Sequence, residues 1–301
     1  MKTLIFNRTL SIALLAGILT AGCNKKEDEI QEVMESIQSA EDNAMIETEF
    51  SAVFDAVGDV AELSEPGKDT KETGNSQYTV LPGGATVVFT DSLWTDGDGV
   101  EFYVDYGPLG DEPPKGLLCR DGRYRAGRID ASLSEPFFEI NSVLTITIPT
   151  ENEYYVGNGA DMARITGVKT VTRTDTLTRH IIVTNASATG QNGTIQWNAD
   201  RYTTRTMDPT PGLWGDTFTT RGNANGINVN NVSFTAEVTA EDPLVKKLQL
   251  GCASTFVSGV VTIENENGGT LALDYDPYDD QACDKVARVT INGNSRIIVV
   301  R

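Results

Sequence analysis

Val232-Ser233-Phe234-Thr235-Ala236-Glu237-Val238-Thr239 alternates apolar and polar residues without a break. Side chains of a strand point to opposite faces in turn, so one face of this segment suits a core and the other suits water. The same beat recurs at Phe102, Val104 and Tyr106, and again at Leu144, Ile146 and Ile148. Thr and Val are frequent on these segments, as strands favour. Alternation of this kind marks antiparallel sheets wetted on one side.

Turn signals separate the alternating runs: Pro82-Gly83-Gly84, Asp96-Gly97-Asp98-Gly99, Gly157-Asn158-Gly159, Gly190-Gln191-Asn192-Gly193 and Asn267-Gly268-Gly269. Near the end, Val289-Thr290-Ile291 and Arg296-Ile297-Ile298-Val299 flank Asn292-Gly293-Asn294, a hairpin signature. No long helical pattern interrupts residues 78–301, which argues against a parallel βαβ arrangement. The expected fold class is therefore all-β: a single large antiparallel domain over 78–301, as a sandwich or as an open or closed barrel.

Residues 24–75 read differently. They hold 15 acids against four lysines, a net charge of −11. Apolar residues recur at Ile30, Val33, Met34 and Ile37, then at Ile46, Phe50, Val53, Phe54, Val57 and Val60. That spacing predicts amphipathic helices over about 29–40 and 43–63, broken near Ala40-Glu41-Asp42-Asn43. Glu65-Pro66-Gly67 ends the pattern, and 68–77 reads as a polar linker. Residues 23–77 are thus expected to form a short, acidic, helical tether whose apolar stripe docks on the domain that follows or engages a partner.

The first 22 residues fit an export signal. Lys2 and Arg8 supply positive charge, residues 12–19 are a short apolar core, and Thr20-Ala21-Gly22 precedes Cys23. The apolar run is shorter than the roughly 20 residues that cross a bilayer. A cysteine directly after small residues, followed by Asn24-Lys25-Lys26-Glu27-Asp28-Glu29, points to a bacterial lipoprotein. Cys23 would be acylated and become the mature N-terminus, with 1–22 removed. Thr20 stands three places before the cysteine, where such signals favour leucine, and Leu19 lies one place earlier. Buried acyl chains contribute about 0.8 kcal/mol per methylene, so more than one chain gives lasting membrane attachment.

Charge narrows the partners. The whole chain carries −19, and losing Lys2 and Arg8 with the signal leaves −21. Nucleic acid needs a basic surface, so a nucleic-acid role is set aside. His180 is the only histidine, which excludes a histidine-rich zinc cluster and leaves one residue for any nucleophile dyad. It lies in a strand-like run with no nucleophile motif and reads as structural. There is no phosphate-binding loop, no dinucleotide glycine fingerprint and no Gly-x-Ser-x-Gly elbow.

Three further cysteines follow the signal: Cys119, Cys252 and Cys283. An exported protein meets an oxidising compartment, and an odd count leaves one thiol over. Cys252 and Cys283 flank a compact unit and are the expected disulfide. The alternative is three buried thiols. Asp274, Asp276, Asp279 and Asp280 crowd one loop, and Asp96 and Asp98 another with Asp91 upstream. Clustered carboxylates suit Ca2+, although neither loop has the glycine and glutamate of an EF-hand, and solvated turns are the plainer reading. Trp94, Trp197 and Trp214, with Tyr202 and Tyr124, are the candidates for stacking against a glycan; burial in a core is the alternative for the tryptophans.

Cys119-Arg120-Asp121-Gly122-Arg123-Tyr124-Arg125-Ala126-Gly127 resembles a stretch found in uncharacterised lipoproteins of Bacteroidota. The likeness continues through Tyr154-Tyr155-Val156-Gly157-Asn158-Gly159, Trp197 with Arg201, Pro243-Leu244 before Cys252, and Cys283-Asp284 ahead of Ile291-Asn292-Gly293. It implies a β-rich envelope protein and carries no activity with it. Lys26-Glu27-Asp28 resembles the surface-export signal of that group, which implies the outer face of the outer membrane; facing the periplasm is the alternative.

Three functions follow as expectations. The first is a non-enzymatic, lipid-anchored envelope module that binds a glycan or another envelope protein, or plays a structural part. The second is a carrier for lipid or another apolar ligand inside a barrel. The third is a glycoside hydrolase using carboxylates alone.

Overall fold

The computed structural model describes residues 23–64, 66, 81–151, 153–209, 215–249, 252, 255–266 and 269–299, with side chains from Val33 onward. The signal at 1–22, the whole linker at 68–77 and Trp214 lie outside the described residues, as does the side chain of Cys23.

One helix, α1 (Cys23–Leu63), precedes eighteen strands among the described residues. The first seven are β1 (Thr86–Asp91), β2 (Val100–Asp105), β3 (Leu117–Leu118), β4 (Tyr124–Ala126), β5 (Arg128–Leu133), β6 (Val143–Ile148) and β7 (Tyr154–Gly157). Four long strands follow: β8 (Met162–Arg173), β9 (Thr178–Gly190), β10 (Gly193–Thr206) and β11 (Thr217–Ile227). The last seven are β12 (Ser233–Val238), β13 (Leu244–Lys247), β14 (Phe256–Ser258), β15 (Val260–Asn265), β16 (Thr270–Asp274), β17 (Val286–Ile291) and β18 (Asn294–Val299).

All pairings are antiparallel and belong to one sheet. The main path runs β1-β2-β5-β6-β8-β9-β10-β11-β12-β15-β16-β17-β18. The sheet forks twice. β8 pairs β7 along Met162–Ile165 and β6 along Gly167–Thr172. β11 pairs β13 along Thr217–Thr220 and β12 along Gly222–Ile227. Among the described residues β1 pairs only β2 and β18 only β17, so the sheet is open and not a closed barrel. The terminal hairpin turns on Asn292 and Gly293, both at positive φ, the geometry of a primed two-residue turn.

The alternation seen in sequence maps onto burial. Phe234, Ala236 and Val238 of β12 are buried while Thr235 and Glu237 are exposed. On β10, Ile195, Trp197, Ala199 and Arg201 point inward, and Gln196, Asp200 and Tyr202 point outward.

α1 fills the space that the sheet's inner face encloses. It is one continuous helix, not two broken near residues 40–43. From 33 to 64 only Met34 and Glu41 are exposed, so residues on every side of the axis meet protein. The enclosed turns, about 45 Å at 1.5 Å per residue, match the length of β10 at about 3.3 Å per residue. Val57, Val60, Ile46, Phe50 and Val53 join the sheet's apolar residues in a single core cluster. Gly167 on β8 sits at φ 139°, and a Cβ there would come within 3.0 Å of the Phe50 ring and 2.7 Å of the Ala186 backbone. The missing side chain is what lets the helix approach the sheet.

Polar residues fix the helix to the sheet along its length. Asn265 donates to Ser36 Oγ (3.1 Å), Asn228 donates to Ser39 Oγ (3.0 Å), and the Val229 N–H donates to Asp42 (2.8 Å). Trp197 Nε1 donates to Asn43 Oδ1 at 3.0 Å. Arg201 forks onto Glu47, Nε to Oε1 at 3.0 Å and Nη2 to Oε2 at 3.3 Å. Lys246 reaches Ser51 and Asp55, and Arg123 faces Glu49. The residues that look like a helix break in the sequence, Asp42 and Asn43, are buried anchors to the sheet. Trp94 donates to the Ser64 carbonyl (2.8 Å) and closes the helix C-terminus.

Two outcomes test this arrangement. Glu47→Ala leaves the buried Arg201 guanidinium without its carboxylate and should cost about 3–5 kcal/mol in urea unfolding, whereas Glu47→Met combined with Arg201→Met should cost much less. Lys169 is buried, donates to the Phe50 carbonyl at 2.8 Å, and has its pKa pulled down to about 7, chiefly by burial, with Asp55 opposing and Lys246 adding. Between that value and the ordinary lysine value of 10.5, the unfolded chain holds a proton that the folded chain does not. Stability should therefore rise with pH across this window, and Lys169→Met should flatten that rise in pH-dependent denaturation.

Candidate functional site

The stretch Cys119 to Gly127 builds a cleft against the helix. It forms the β3–β4 hairpin, closed by Cys119 N–H to the Arg123 carbonyl (2.8 Å) and by Arg123 N–H to Asp121 Oδ1 (3.1 Å). Gly127 at φ 86° follows, and a Cβ there would overlap the Glu153 carbonyl oxygen. The hairpin projects two arginines inward. Arg125 is held by both oxygens of Asp121 (2.9 and 2.7 Å) and donates to the Tyr154 hydroxyl at 3.1 Å. Arg123 meets Glu49 of α1.

The far wall comes from the other end of the sheet: Thr255, Phe256, Tyr275 and Lys285, with Thr48 and Ala52 of α1 as the floor. The cleft is small, with a cavity volume of about 30 Å³. Cys252 and Cys283 are joined by a disulfide with Cα atoms 5.1 Å apart. Cys252 lies three residues before Thr255 and Cys283 two before Lys285, so the bridge ties the two segments of this wall together.

Electrostatics follow from burial. For Asp121, burial works to raise the carboxyl, but the hydrogen bonds and charge of Arg125 outweigh it and hold it below the ordinary range. Burial, and then repulsion from Arg125, lowers Arg123 to about 10. Arg125 keeps its proton more firmly than usual, because Tyr154 and Asp121 offset the burial that opposes its charge. Burial raises the Cys119 thiol, which has no disulfide partner, so it is a poor nucleophile at neutral pH.

The other sequence-expected sites are placed as follows. Trp197 is 2 % exposed and its ring lies 6.0 Å from that of Phe50, while Trp94 is half-buried against Ser64. Trp197 is a core residue whose ring is closed to a ligand, while Trp94 sits at the helix end with part of its ring at the surface. Asp274, Asp276 and Asp280 turn their oxygens to their own loop: Asp274 accepts from Asp276 N–H, Asp276 from Asp280 and Gln281 N–H, and Asp280 from Ala282 N–H. Asp274 also meets Arg288, and Asp279 sits at positive φ. They do not converge on one point. Among the described residues, the one group of three acids whose oxygens lie within 4.8 Å of one another is Asp91, Asp96 and Asp98, on an open turn between β1 and β2. A hydrogen bond and the charge of Asp96 raise the Asp98 carboxyl.

An aromatic surface does exist, on the outer face of the long strands. His180, Tyr202 and Arg221 stand side by side across β9, β10 and β11. The His180 and Tyr202 rings stack at 4.4 Å and 11°, and the Arg221 guanidinium lies 5.4 Å from the Tyr202 ring. His180 Nε2 bonds Asp200 at 2.7 Å. The sequence offers Tyr202 only as a companion to the tryptophans; its partners on neighbouring strands follow from the register.

No protein-family model matches the chain, and no curated protein or solved structure is similar to it by the same kind of comparison.

The disulfide closes a loop of 31 residues. Its loss should cost about 3–4 kcal/mol by the loop-entropy relation. Cys252→Ser with Cys283→Ser should lower the denaturant midpoint accordingly, and amide exchange should rise first at Thr255 and Lys285.

Proposed function

We propose that this chain is a lipid-anchored envelope protein that acts as a non-catalytic binding module, with a glycan as ligand on the outer face of β9, β10 and β11. The observation that carries the ligand class is the His180–Tyr202–Arg221 row. A sugar ring presents C–H groups on one face and hydroxyls at its rim. An exposed tyrosine takes the face, and nearby polar groups take the rim. Asp200, Asn198, Asn225 and the Thr178–Thr204 pair supply such groups on the same strands. Tyr202 is 37 % exposed and held by its neighbours, so little conformational freedom is lost on binding.

Anchoring rests on the sequence around Cys23. The helix is described from Cys23 on and is enclosed by the sheet from about residue 33. Ten helical residues span about 15 Å, so an acyl chain on Cys23 would hold the body close to a bilayer on a stiff stalk. No described helix is long and apolar enough to cross a membrane. Lys26-Glu27-Asp28 favours the outer face of the outer membrane, in keeping with the resemblance to Bacteroidota lipoproteins. The carrier reading needs an apolar cavity, and the space inside this sheet is taken up by α1 side chains.

Glycan-array binding of the full chain in detergent should be weakened about tenfold or more by Tyr202→Ala with unchanged folding. No binding by the wild type, or binding indifferent to Tyr202→Ala, overturns the glycan reading. In the native host, Cys23→Ser should leave the membrane fraction; if it stays there, the anchor is wrong.

A further inference from the structure

We propose that the cleft between the β3–β4 hairpin, α1 and the Cys252–Cys283 wall binds a small oxyanion group, a phosphate or a carboxylate. The site is separate from the His180–Tyr202–Arg221 face and does not depend on the glycan reading.

The first observation is charge. Arg123, Arg125 and Lys285 line this cleft against two carboxylates, Glu49 and Asp121, so one positive charge is in excess. That surplus sits in a chain of net charge −19. Arg125 is committed to Asp121, and Arg123 faces Glu49. Lys285 supplies the remaining charge from the rim, where it acts on Asp121 only at longer range.

The second observation is an unmet donor. Tyr275 lines the cleft and is only 5 % exposed, and among the described residues its buried hydroxyl has no hydrogen-bond partner. Thr255 Oγ1, on the same wall, is buried and equally without a partner among the described residues. A buried hydroxyl left unpaired is costly, because its bonds to water are lost with nothing in return. Such groups persist in native proteins where something fills the gap. Burial, with the charge of Glu47 adding, raises the Tyr275 hydroxyl well above its ordinary range, so it stays protonated and offers a hydrogen.

The third is construction. The donors come from residues near 123, 255, 275 and 285, and the disulfide fixes two of these segments to each other. Two hydroxyl donors, one exposed ammonium and the edge of a guanidinium suit the several acceptor oxygens of a phosphate or carboxylate. Glu49 is met by Arg123, so the group enters from the Lys285, Thr255 and Tyr275 side.

The test uses the full chain in detergent, as wild type, Lys285→Gln and Tyr275→Phe. Thermal unfolding is followed against inorganic phosphate and against acetate, with chloride at matched ionic strength. Unfolding without added ions shows whether each variant folds; Lys285 is exposed and Tyr275→Phe keeps the ring, so both should. The expected result is saturable stabilisation by phosphate or acetate beyond chloride, with half-saturation shifted about tenfold or more upward in both variants. The stronger of the two probes names the oxyanion. Stabilisation no greater than with chloride would mean that water alone satisfies the hydroxyls and overturns the proposal, as would unchanged half-saturation in both variants.

Discussion

The Glu47–Arg201 pair is the constraint around which this protein is organised. Both side chains are buried, and the carboxylate is part of a connected set: Trp197 donates to Asn43, Asn43 to Glu47 (3.4 Å), and Arg201 forks onto Glu47. Polar chains in a low-dielectric interior are favourable only when complete. Completing this one requires a single register between helix and sheet. Moving α1 by one residue would rotate Asn43 and Glu47 by about 100° and leave Trp197 and Arg201 unpaired. Apolar contacts alone would tolerate several such slips. The polar row from Ser36 to Asp55 is what selects one.

That requirement explains the shape of the sheet. An open sheet buries its inner face by folding around something, and here that is the part of α1 from about residue 33 on, which is about as long as the longest strands. The forks at β8 and β11 bring shorter strands to α1 beside the long ones: Arg123, just before β4, meets Glu49, and Lys246 of β13 meets Ser51 and Asp55. The Cys119–Gly127 hairpin belongs to the same scheme. Asp121 positions Arg125, and Arg123 docks on Glu49, so a motif that looks chemical in sequence first serves to attach a hairpin to the helix. The cleft is what remains where the hairpin and the disulfide-linked wall fail to meet.

Much of the sheet could be read from the chain. Period-two burial on β2, β6 and β12, the Asn292-Gly293 turn and the helical spacing through Val60 all report local rules that tertiary structure left in force. The continuity of α1 could not be read, because Asp42 and Asn43 are poor helix formers in isolation and are rescued by Val229, in the β11–β12 turn, and by Trp197 of β10, both far along the chain. A signal was available: Ser36, Ser39, Asn43 and Glu47 fall on one helical face, a polar stripe beside the apolar one. Trp197 cannot be told from a surface indole by sequence, because the side chain reads alike whether it faces sugar or protein; the structure buries it. The His180–Tyr202–Arg221 row needed the strand register, which composition does not carry.

The most direct measurement is native-state hydrogen exchange on α1 across a denaturant series. If the buried polar row makes helix and sheet one cooperative unit, amides from Ala44 to Val60 will exchange only through global unfolding, with the same free energy as the inner amides of β9 and β10. Exchange of these helix amides by a local opening well below the global value, while β9 and β10 stay protected, would contradict the account.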